Sequence, residues 1–466
     1  MEYHKIDQTD RENLSKLVAE PERFIDKPTK HWDHDQFGTV KAMPDVVIQP
    51  VDNDEVMRVV QYADEHHIPL VPRGNSTGLM GANLTVDGGI SLDMVKMNRI
   101  LDYDNESLTM TVQAGTRLKD IEEYLSDKPF TYMPAPAMHW ATIGGNVSTN
   151  AGGLKAIKYG VTREHIRELK VVLPNGKLYK FGSKAVKSSS GYSLRDLIVG
   201  AEGTLGVVTE VTVRLYPKPR KSINAIIPYP TLTDAIKSVP AILESGVVPT
   251  TVEFMGRKVI DLWEKYSGDK FPLEHGNGFI IVGLDAFTDG ELQAELNQTL
   301  ETVKRFKAQS AVVLDADSDE AKKIWQCREE LLLAIQKSTP QMDEIDICVP
   351  INHIPDVLNR IEQLEQELKI RIPNFGHAGD GNLHIYLCSD KMSEAEYAEV
   401  KDQVIKELYR TAKALDGNMS GEHGIGYARA DNFEDFYGHE YTELLRKVKN
   451  LFDPNHILNP GKIFKM

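Results

Sequence analysis

Residues 72–82 read Pro72-Arg73-Gly74-Asn75-Ser76-Thr77-Gly78-Leu79-Met80-Gly81-Ala82. Glycines at 74, 78 and 81 let the backbone approach a ligand and turn its N–H groups toward an anion. Ser76 and Thr77 add hydroxyl donors, and Arg73 adds charge. The stretch lacks the lysine of a P-loop and the G-x-G-x-x-G of a Rossmann turn. A pyrophosphate suits this chemistry; a flexible glycine loop is the other reading. Upstream the chain alternates. Residues 46–49 read as a strand. Asn53 is the expected cap of a helix running to about His66, with Val56, Val59, Val60 and Ala63 on one face. Residues 68–71 read as a second strand feeding the loop.

Two more glycine-rich regions follow. Residues 134–153 run Pro134-Ala135-Pro136-Ala137-Met138-His139-Trp140-Ala141-Thr142-Ile143-Gly144-Gly145-Asn146-Val147-Ser148-Thr149-Asn150-Ala151-Gly152-Gly153. Large side chains are nearly excluded there. A flat aromatic ligand against backbone explains this, and so does tight packing of two elements. Residues 199–209, Val-Gly-Ala-Glu-Gly-Thr-Leu-Gly-Val-Val-Thr, join a glycine turn to a strand-like run over 207–215. Pro217 and Pro219 then punctuate the chain and mark a domain boundary. Beyond it, strands at 223–227, 279–284 and 310–314 are interspersed with helices. The helix at about 353–368 lines up Ile354, Val357, Leu358, Ile361 and Leu364. This pattern suggests an α+β domain with antiparallel sheet.

The chemistry-bearing clusters lie late in the chain. Residues 374–385, Asn-Phe-Gly-His-Ala-Gly-Asp-Gly-Asn-Leu-His-Ile, place His377 and His384 around a turn. Residues 420–426, Ser-Gly-Glu-His-Gly-Ile-Gly, offer Glu422 and His423. Two imidazoles and one carboxylate make a three-ligand site for a divalent metal, with positions open for water or substrate. His423 beside Glu422 suggests metal-assisted proton removal. Asp380 reads as a turn residue or a partner of the ligands. The bland alternatives are packed, hydrogen-bonded histidines and an ion-paired Arg328.

Bulk properties exclude other classes. At 466 residues, 41 % hydrophobic and 26 % charged, the composition is that of a soluble globular protein of two or three domains, or of one large domain with an insertion. A formal charge of −15 argues against nucleic-acid binding and requires a locally basic site for any small anion. No apolar run is long enough to span a bilayer. The polar start Met1-Glu2-Tyr3-His4-Lys5 is unlike a secretory signal. Three scattered cysteines, Cys327, Cys348 and Cys388, give neither a disulfide framework nor an iron–sulfur pattern. The expected compartment is the cytoplasm, with at most peripheral contact at the inner face of the membrane.

Taken in order, the glycine regions, the metal clusters and the tail Asn459-Pro460-Gly461-Lys462 resemble the flavoprotein superfamily of vanillyl-alcohol oxidase and p-cresol methylhydroxylase. The resemblance covers about 44–464. It is greatest to the branch oxidising D-2-hydroxy acids: FAD-dependent D-lactate dehydrogenase, the glycolate oxidase catalytic subunit and D-2-hydroxyglutarate dehydrogenase. It implies an α+β protein. An N-terminal helical segment (1–43) would precede a two-subdomain FAD-binding domain (44–219), a ferredoxin-like α+β cap domain (220–415) and a C-terminal segment returning to the flavin (416–466). It also implies roles. Arg73, Gly74, Asn75, Ser76, Thr77, Gly78 and Gly81 match the pyrophosphate loop. Thr142, Ile143, Gly144, Gly145 and Asn146 match the isoalloxazine wall, which Asn150, Gly152 and Gly153 continue. Glu202, Gly203, Thr204, Leu205, Gly206 and Val207 match a motif near the adenosine half. Asn459 and Lys462 match the returning tail. His377, His384 and Glu422 match the metal ligands, Asn382 a substrate contact, His423 the general base and Arg328 the holder of the substrate carboxylate. With no histidine in the pyrophosphate loop, FAD is expected to be non-covalent.

The implied reaction takes a proton from the hydroxyl and a hydride from the adjacent carbon, which flavin N5 accepts. A zinc, manganese or iron(II) ion would acidify the hydroxyl, His423 would take the proton, and Arg328 would clamp the carboxylate. In the resembling diacid enzymes a lysine precedes the D-x-x-x-P strand. Here Asp343 and Glu344 precede Asp346-Ile347-Cys348-Val349-Pro350, and acidic residues would repel a second carboxylate. D-lactate is therefore expected ahead of glycolate, with D-2-hydroxyglutarate as the alternative. The electron acceptor lies outside the chain: a quinone, an electron-transfer protein, an iron–sulfur subunit or oxygen. A homodimer is left open. Competing readings are a metal hydrolase, which leaves three glycine regions unexplained, and a non-catalytic flavin-binding subunit.

Overall fold

The helix expected from Asn53 spans Asn53–Glu65 and carries Val56, Val59, Val60 and Ala63 buried on one face. Its cap is Asp52 rather than Asn53. The Asp52 carboxylate accepts from the Glu55 N–H at 2.9 Å, while Asn53 is already helical and turns its amide to Glu210. The strand after it begins two residues later than expected, at Leu70–Arg73, because the Ile68 N–H is taken by the Ala63 carbonyl as the helix ends.

The computed structural model describes every residue except Met1, Ala135 and Ala137, the last two within the second glycine region. The chain divides into two units. The first comprises Met1–Gly152, Gly160–Lys218 and Glu422–Met466; the second comprises Gly153–Tyr159 and Pro219–Gly421. Both are mixtures of helix and antiparallel or mixed sheet, as the α+β expectation requires. Among the described residues no helix is long and apolar enough to cross a membrane.

In the first unit, a four-stranded sheet runs Phe24–Ile25, Val46–Ile48, Ile90–Asp93, Leu70–Arg73, with its last three strands parallel. A five-stranded antiparallel sheet runs Ile100–Asp104, Thr109–Gln113, Val207–Arg214, Ile166–Val172, Leu178–Gly182. Val207–Arg214 is buried along almost its whole length, as an apolar central strand should be. The C-terminal tail is stitched to the first sheet: the Leu70 N–H donates to Ile457 O, and the Asn459 N–H donates to Leu70 O, each at 2.8 Å.

The second unit is built on a seven-stranded antiparallel sheet. Its order is Val312–Asp315, Lys221–Tyr229, Gly278–Ala286, Thr251–Gly256, Asn374–His377, Asn382–Ser389, Gln341–Cys348. Trp263, Leu331, Phe279, Phe375 and Tyr386 belong to one buried apolar cluster beneath it. A tight turn joins Asn374–His377 to Asn382–Ser389. Gly381 stands at φ +88 within it, and a Cβ there would meet Val349 O at 1.8 Å, so only glycine fits. The hairpin register opposes His377 to Asn382 and Phe375 to His384. Both histidines therefore point to one face.

One buried ion pair locks the tail of the first unit. Lys449, in the helix His439–Phe452, donates to Asp453 Oδ2 at 2.5 Å, Thr204 O at 2.7 Å and Leu458 O at 2.8 Å. Removing the amine leaves Asp453 buried without its cation. Lys449→Met is expected to lose about 3–5 kcal/mol of stability, read as a lowered urea midpoint, and adding Asp453→Asn should recover part of the loss.

Candidate active site

The first unit brings the three glycine regions and the tail together. Gly74 lies so close to Thr142 that a Cβ would come within 2.2 Å of Oγ1. Thr142 caps the helix Ile143–Thr149 through the Gly145 N–H. The Gly200 and Glu202 N–H groups donate to the carbonyls of Val147 and Ser148 at 2.9 and 2.7 Å. Asn459 Nδ2 donates to Glu202 O at 2.5 Å and Ala82 O at 2.8 Å. Four segments far apart in sequence thus meet at one place in this unit. Gly153 belongs to the second unit.

The glycines divide into two kinds. A Cβ at Gly144 would press on Ala114 at 2.7 Å, and one at Gly206 on Val171 at 2.5 Å, so tight packing explains these. At Gly78 nothing lies within 4 Å, and at Gly145 only Thr142 Oγ1 at 3.2 Å. Asn146 Nδ2 and Asn459 Oδ1 are buried without a hydrogen-bond partner among the described residues. A buried polar atom left in that state costs about 1–3 kcal/mol, and a polar ligand lying against these segments would satisfy it. The donor set and the open glycines fit FAD.

Two residues expected to face the cofactor are turned elsewhere. Arg73 is buried, and its guanidinium donates to the carbonyls of His31, Trp32 and His34. It pins the N-terminal segment to the loop. The Glu202 carboxylate accepts from the N–H groups of Ile425 and Gly426, each at 2.8 Å. It therefore holds the turn that follows Glu422 and His423. Asn75 donates to Trp140 O, and Ser76 Oγ accepts from Asn83.

Glu422 and His423 themselves are partly buried, with His423 Nε2 3.5 Å from Glu422 Oε1. Gly152 makes room for the carboxylate: a Cβ there would stand 3.1 Å from Glu422 Oε2. One glycine of the small-residue stretch is here explained by an acidic side chain.

In the second unit, His377 Nε2 and His384 Nε2 face each other at 3.2 Å, both buried. Two nitrogens each about 2.1 Å from one divalent ion at a near-tetrahedral angle would be separated by roughly this distance. The pair therefore fits a metal. Behind His377, Nδ1 lies at hydrogen-bond distance, 2.6 Å, from Glu253 Oε1. Behind His384, Nδ1 lies 3.6 Å from Asp346 Oδ1 and 3.9 Å from Glu344 Oε1. Asp346 also accepts from Asn382 Nδ2 at 2.7 Å, Ser420 Oγ at 2.7 Å and the Gly421 N–H at 3.1 Å. Asp380 is a turn residue, accepting from the Asn382 N–H. Arg328 is buried and ion-paired with Glu253.

Glu253, Glu344 and Asp346 were not picked out as site residues from the sequence. A signal for them exists. Glu253 interrupts the apolar run Val252-Glu253-Phe254-Met255, and Glu344 and Asp346 are two apart, hence on one face of their strand. Asp343 alternates to the other face, where Lys401 neutralises it at 3.1 Å. The repulsion expected from Asp343 and Glu344 together therefore rests on Glu344 and its neighbour Asp346. Cys327 and Cys388 are buried, and desolvation pushes their thiols up, Cys388 to about 12, which disfavours the reactive thiolate.

The family described as "FAD binding domain" matches residues 44–182, and "FAD linked oxidases, C-terminal domain" matches residues 218–463. The chain belongs to the FAD-linked oxidases. More narrowly, it is an FAD-linked oxidoreductase of the group formed by D-lactate dehydrogenase, glycolate oxidase subunit GlcD and D-2-hydroxyglutarate dehydrogenase. It is 38% identical over 467 residues to the D-lactate dehydrogenase of Anaerostipes hadrus, spanning 99% of this chain and 98% of that protein. It is 35% identical to glycolate oxidase subunit GlcD of Bacillus subtilis (strain 168), over 96% of this chain and 95% of that one. With the D-2-hydroxyglutarate dehydrogenase of Xanthomonas citri pv. viticola it shares 32% identity, over 94% and 92%. The fold is that of p-cresol methylhydroxylase, with a TM-score of 0.78 at 15% identity over 98% of this chain and 96% of that one.

Two buried groups of the first unit give a pH signature. Desolvation raises the Glu202 carboxyl to about 7 against the opposing pull of its two backbone donors and Lys462. Desolvation lowers the Lys462 amine to about 7, against the pull of Asp87 and Glu202. The Glu202 contribution is present below its unfolded value of 4.5 and is lost as pH rises through about 7. Lys462 has the opposite sign: the unfolded amine holds its proton up to 10.5, so stability rises with pH above about 7. Thermal midpoints measured across pH should therefore dip near neutrality. Glu202→Gln should flatten the acidic limb and Lys462→Met the alkaline limb.

Proposed function

We propose that this protein oxidises a short D-2-hydroxy acid, D-lactate ahead of glycolate, to the 2-oxo acid. The observation that carries the reading is the pair of imidazoles with facing Nε2 atoms, each backed by buried carboxylate. It lies in a chain whose relatives are dehydrogenases and oxidases of small hydroxy acids. Bound FAD supplies the hydride acceptor. A zinc, manganese or iron(II) ion held by His377, His384 and Glu422 supplies Lewis acidity at the substrate oxygens.

His423 is the general base: an imidazole accepts a proton near neutral pH, and Glu202 holds the turn after it through Ile425 and Gly426. Arg328 supplies the cation that draws the substrate carboxylate, with its Nε edge engaged by Glu253. Asn382, fixed by Asp346 and the Ile347 carbonyl, orders the substrate side of the histidine pair. Glu344 and Asp346 add negative charge to the histidine face and disfavour a second carboxylate, which favours a monoacid. Glycolate oxidation as a catalytic subunit and D-2-hydroxyglutarate oxidation are the alternatives. Electrons leave for an external quinone, electron-transfer protein or iron–sulfur subunit.

The test is an anaerobic absorbance spectrum before and after adding D-lactate. Flavin bands should bleach with D-lactate, and not with L-lactate or after chelation; acid precipitation should release the flavin. Faster bleaching by D-2-hydroxyglutarate would overturn the monoacid assignment. His423→Asn should keep its flavin while kcat falls about 10²–10⁴-fold. A variant with unchanged kcat would remove His423 from the role of base.

A further inference from the structure

Glu253 lies in the strand Thr251–Gly256, fully buried between Val252 and Phe254, and no step of the reaction set out above is assigned to it. A carboxylate removed from water in this way must meet charge or hydrogen-bond donors, and Glu253 meets both. Its Oε2 receives Arg328 Nε at 2.7 Å, with Nη2 also at 2.7 Å. Its Oε1 receives His377 Nδ1 at 2.6 Å. Strand register pairs Glu253 directly with His377, so the contact is set by the sheet and not by a mobile side chain. Arg328 is held in turn by its own burial, with its guanidinium carbon 4.5 Å above the Phe375 ring.

The consequence concerns the other nitrogen of the ring. A carboxylate in an ion pair with arginine only accepts, so the proton of the hydrogen bond belongs to His377 Nδ1. In the neutral imidazole Nε2 then carries a lone pair. That Nε2 is the atom facing His384 Nε2 at 3.2 Å. We propose that Glu253 is a positioning residue that fixes the tautomer and orientation of His377, with Arg328 as its counter-charge, so that Nε2 is the donor presented to a divalent cation. The functional meaning rests on the reading of His377 and His384 as metal ligands. The tautomer itself does not.

The experiment uses the FAD-loaded full chain and Mn²⁺ as probe, with bound metal read by electron paramagnetic resonance. Glu253→Gln is expected to retain its flavin and to bind Mn²⁺ about 10–100-fold more weakly. Saturating Mn²⁺ should restore most of kcat, and Glu253→Asp, which keeps the charge, should fall between the two. Wild-type Mn²⁺ affinity in a flavin-loaded Glu253→Gln protein would overturn the proposal, as would lost activity that added Mn²⁺ does not rescue. Should the variant fail to fold, ¹⁵N-histidine spectra of the wild-type protein decide. An Nδ1–H tautomer at His377, assigned by its loss in His377→Asn, supports the proposal, and an Nε2–H tautomer overturns it. If the wild-type protein binds neither Mn²⁺ nor Zn²⁺, the metal reading fails, and the same spectra still decide the role of Glu253.

Discussion

Carboxylates that have left water organise this protein. Glu202, Glu253, Asp346 and Asp453 are all buried; the first three are met by donors from distant parts of the chain, and Asp453 by Lys449 four residues before it. Glu202 binds the amides of Ile425 and Gly426, Glu253 binds Arg328 and His377, Asp346 binds Asn382, Ser420 and Gly421, and Asp453 binds Lys449. The desolvation cost of a lone carboxylate is several kcal/mol, so Glu202, Glu253 and Asp346 each enforce a contact between segments that apolar packing alone would leave free to slide. The motifs that carry chemistry lie at the ends of those contacts.

The sheet register of the second unit supplies the other half of the constraint. Side chains alternate along a strand, so a slip of one residue in the pairing of Asn374–His377 with Asn382–Ser389 would turn one histidine to the opposite face. The turn that sets this register depends on Gly381, where the backbone of Val349 leaves no space for a Cβ. The same register places Glu253 opposite His377 and Asp346 opposite His384. Local turn geometry, strand pairing and the electrostatics of two imidazoles are thus one arrangement at three scales.

Small residues have more than one cause in this chain. Gly144 and Gly206 are small because neighbouring side chains press on them, Gly152 because the Glu422 carboxylate lies against it, and Gly78 with no neighbour at all. A run of glycines in a sequence cannot separate these cases, since all of them select for the absence of a Cβ. The expected charge of Arg73 toward an anion shows the same ambiguity from the other side. Its identity is plain in the sequence, but its carbonyl partners at His31, Trp32 and His34 lie some 40 residues upstream.

The amino-acid sequence alone determined the class of fold and the two imidazoles, because these depend on local patterns: glycine spacing, apolar periodicity and histidines around a turn; the FAD-linked family followed from the resemblance of its ordered motifs to known flavoproteins. It placed the helix at 353–368 and the strands at 207–215 and 279–284 to within a few residues. It missed the start of Leu70–Arg73, where a helix-ending hydrogen bond competes with the sheet. Only the tertiary structure decided which charges face which. Glu253 and Arg328 are 75 residues apart and Glu202 and Gly426 are 224 apart, and no local propensity encodes such a pairing. Whether a carboxylate is solvated, neutralised as Asp343 is by Lys401, or buried behind a histidine depends on long-range packing, because charge energies depend on burial and distance in space rather than on position along the chain.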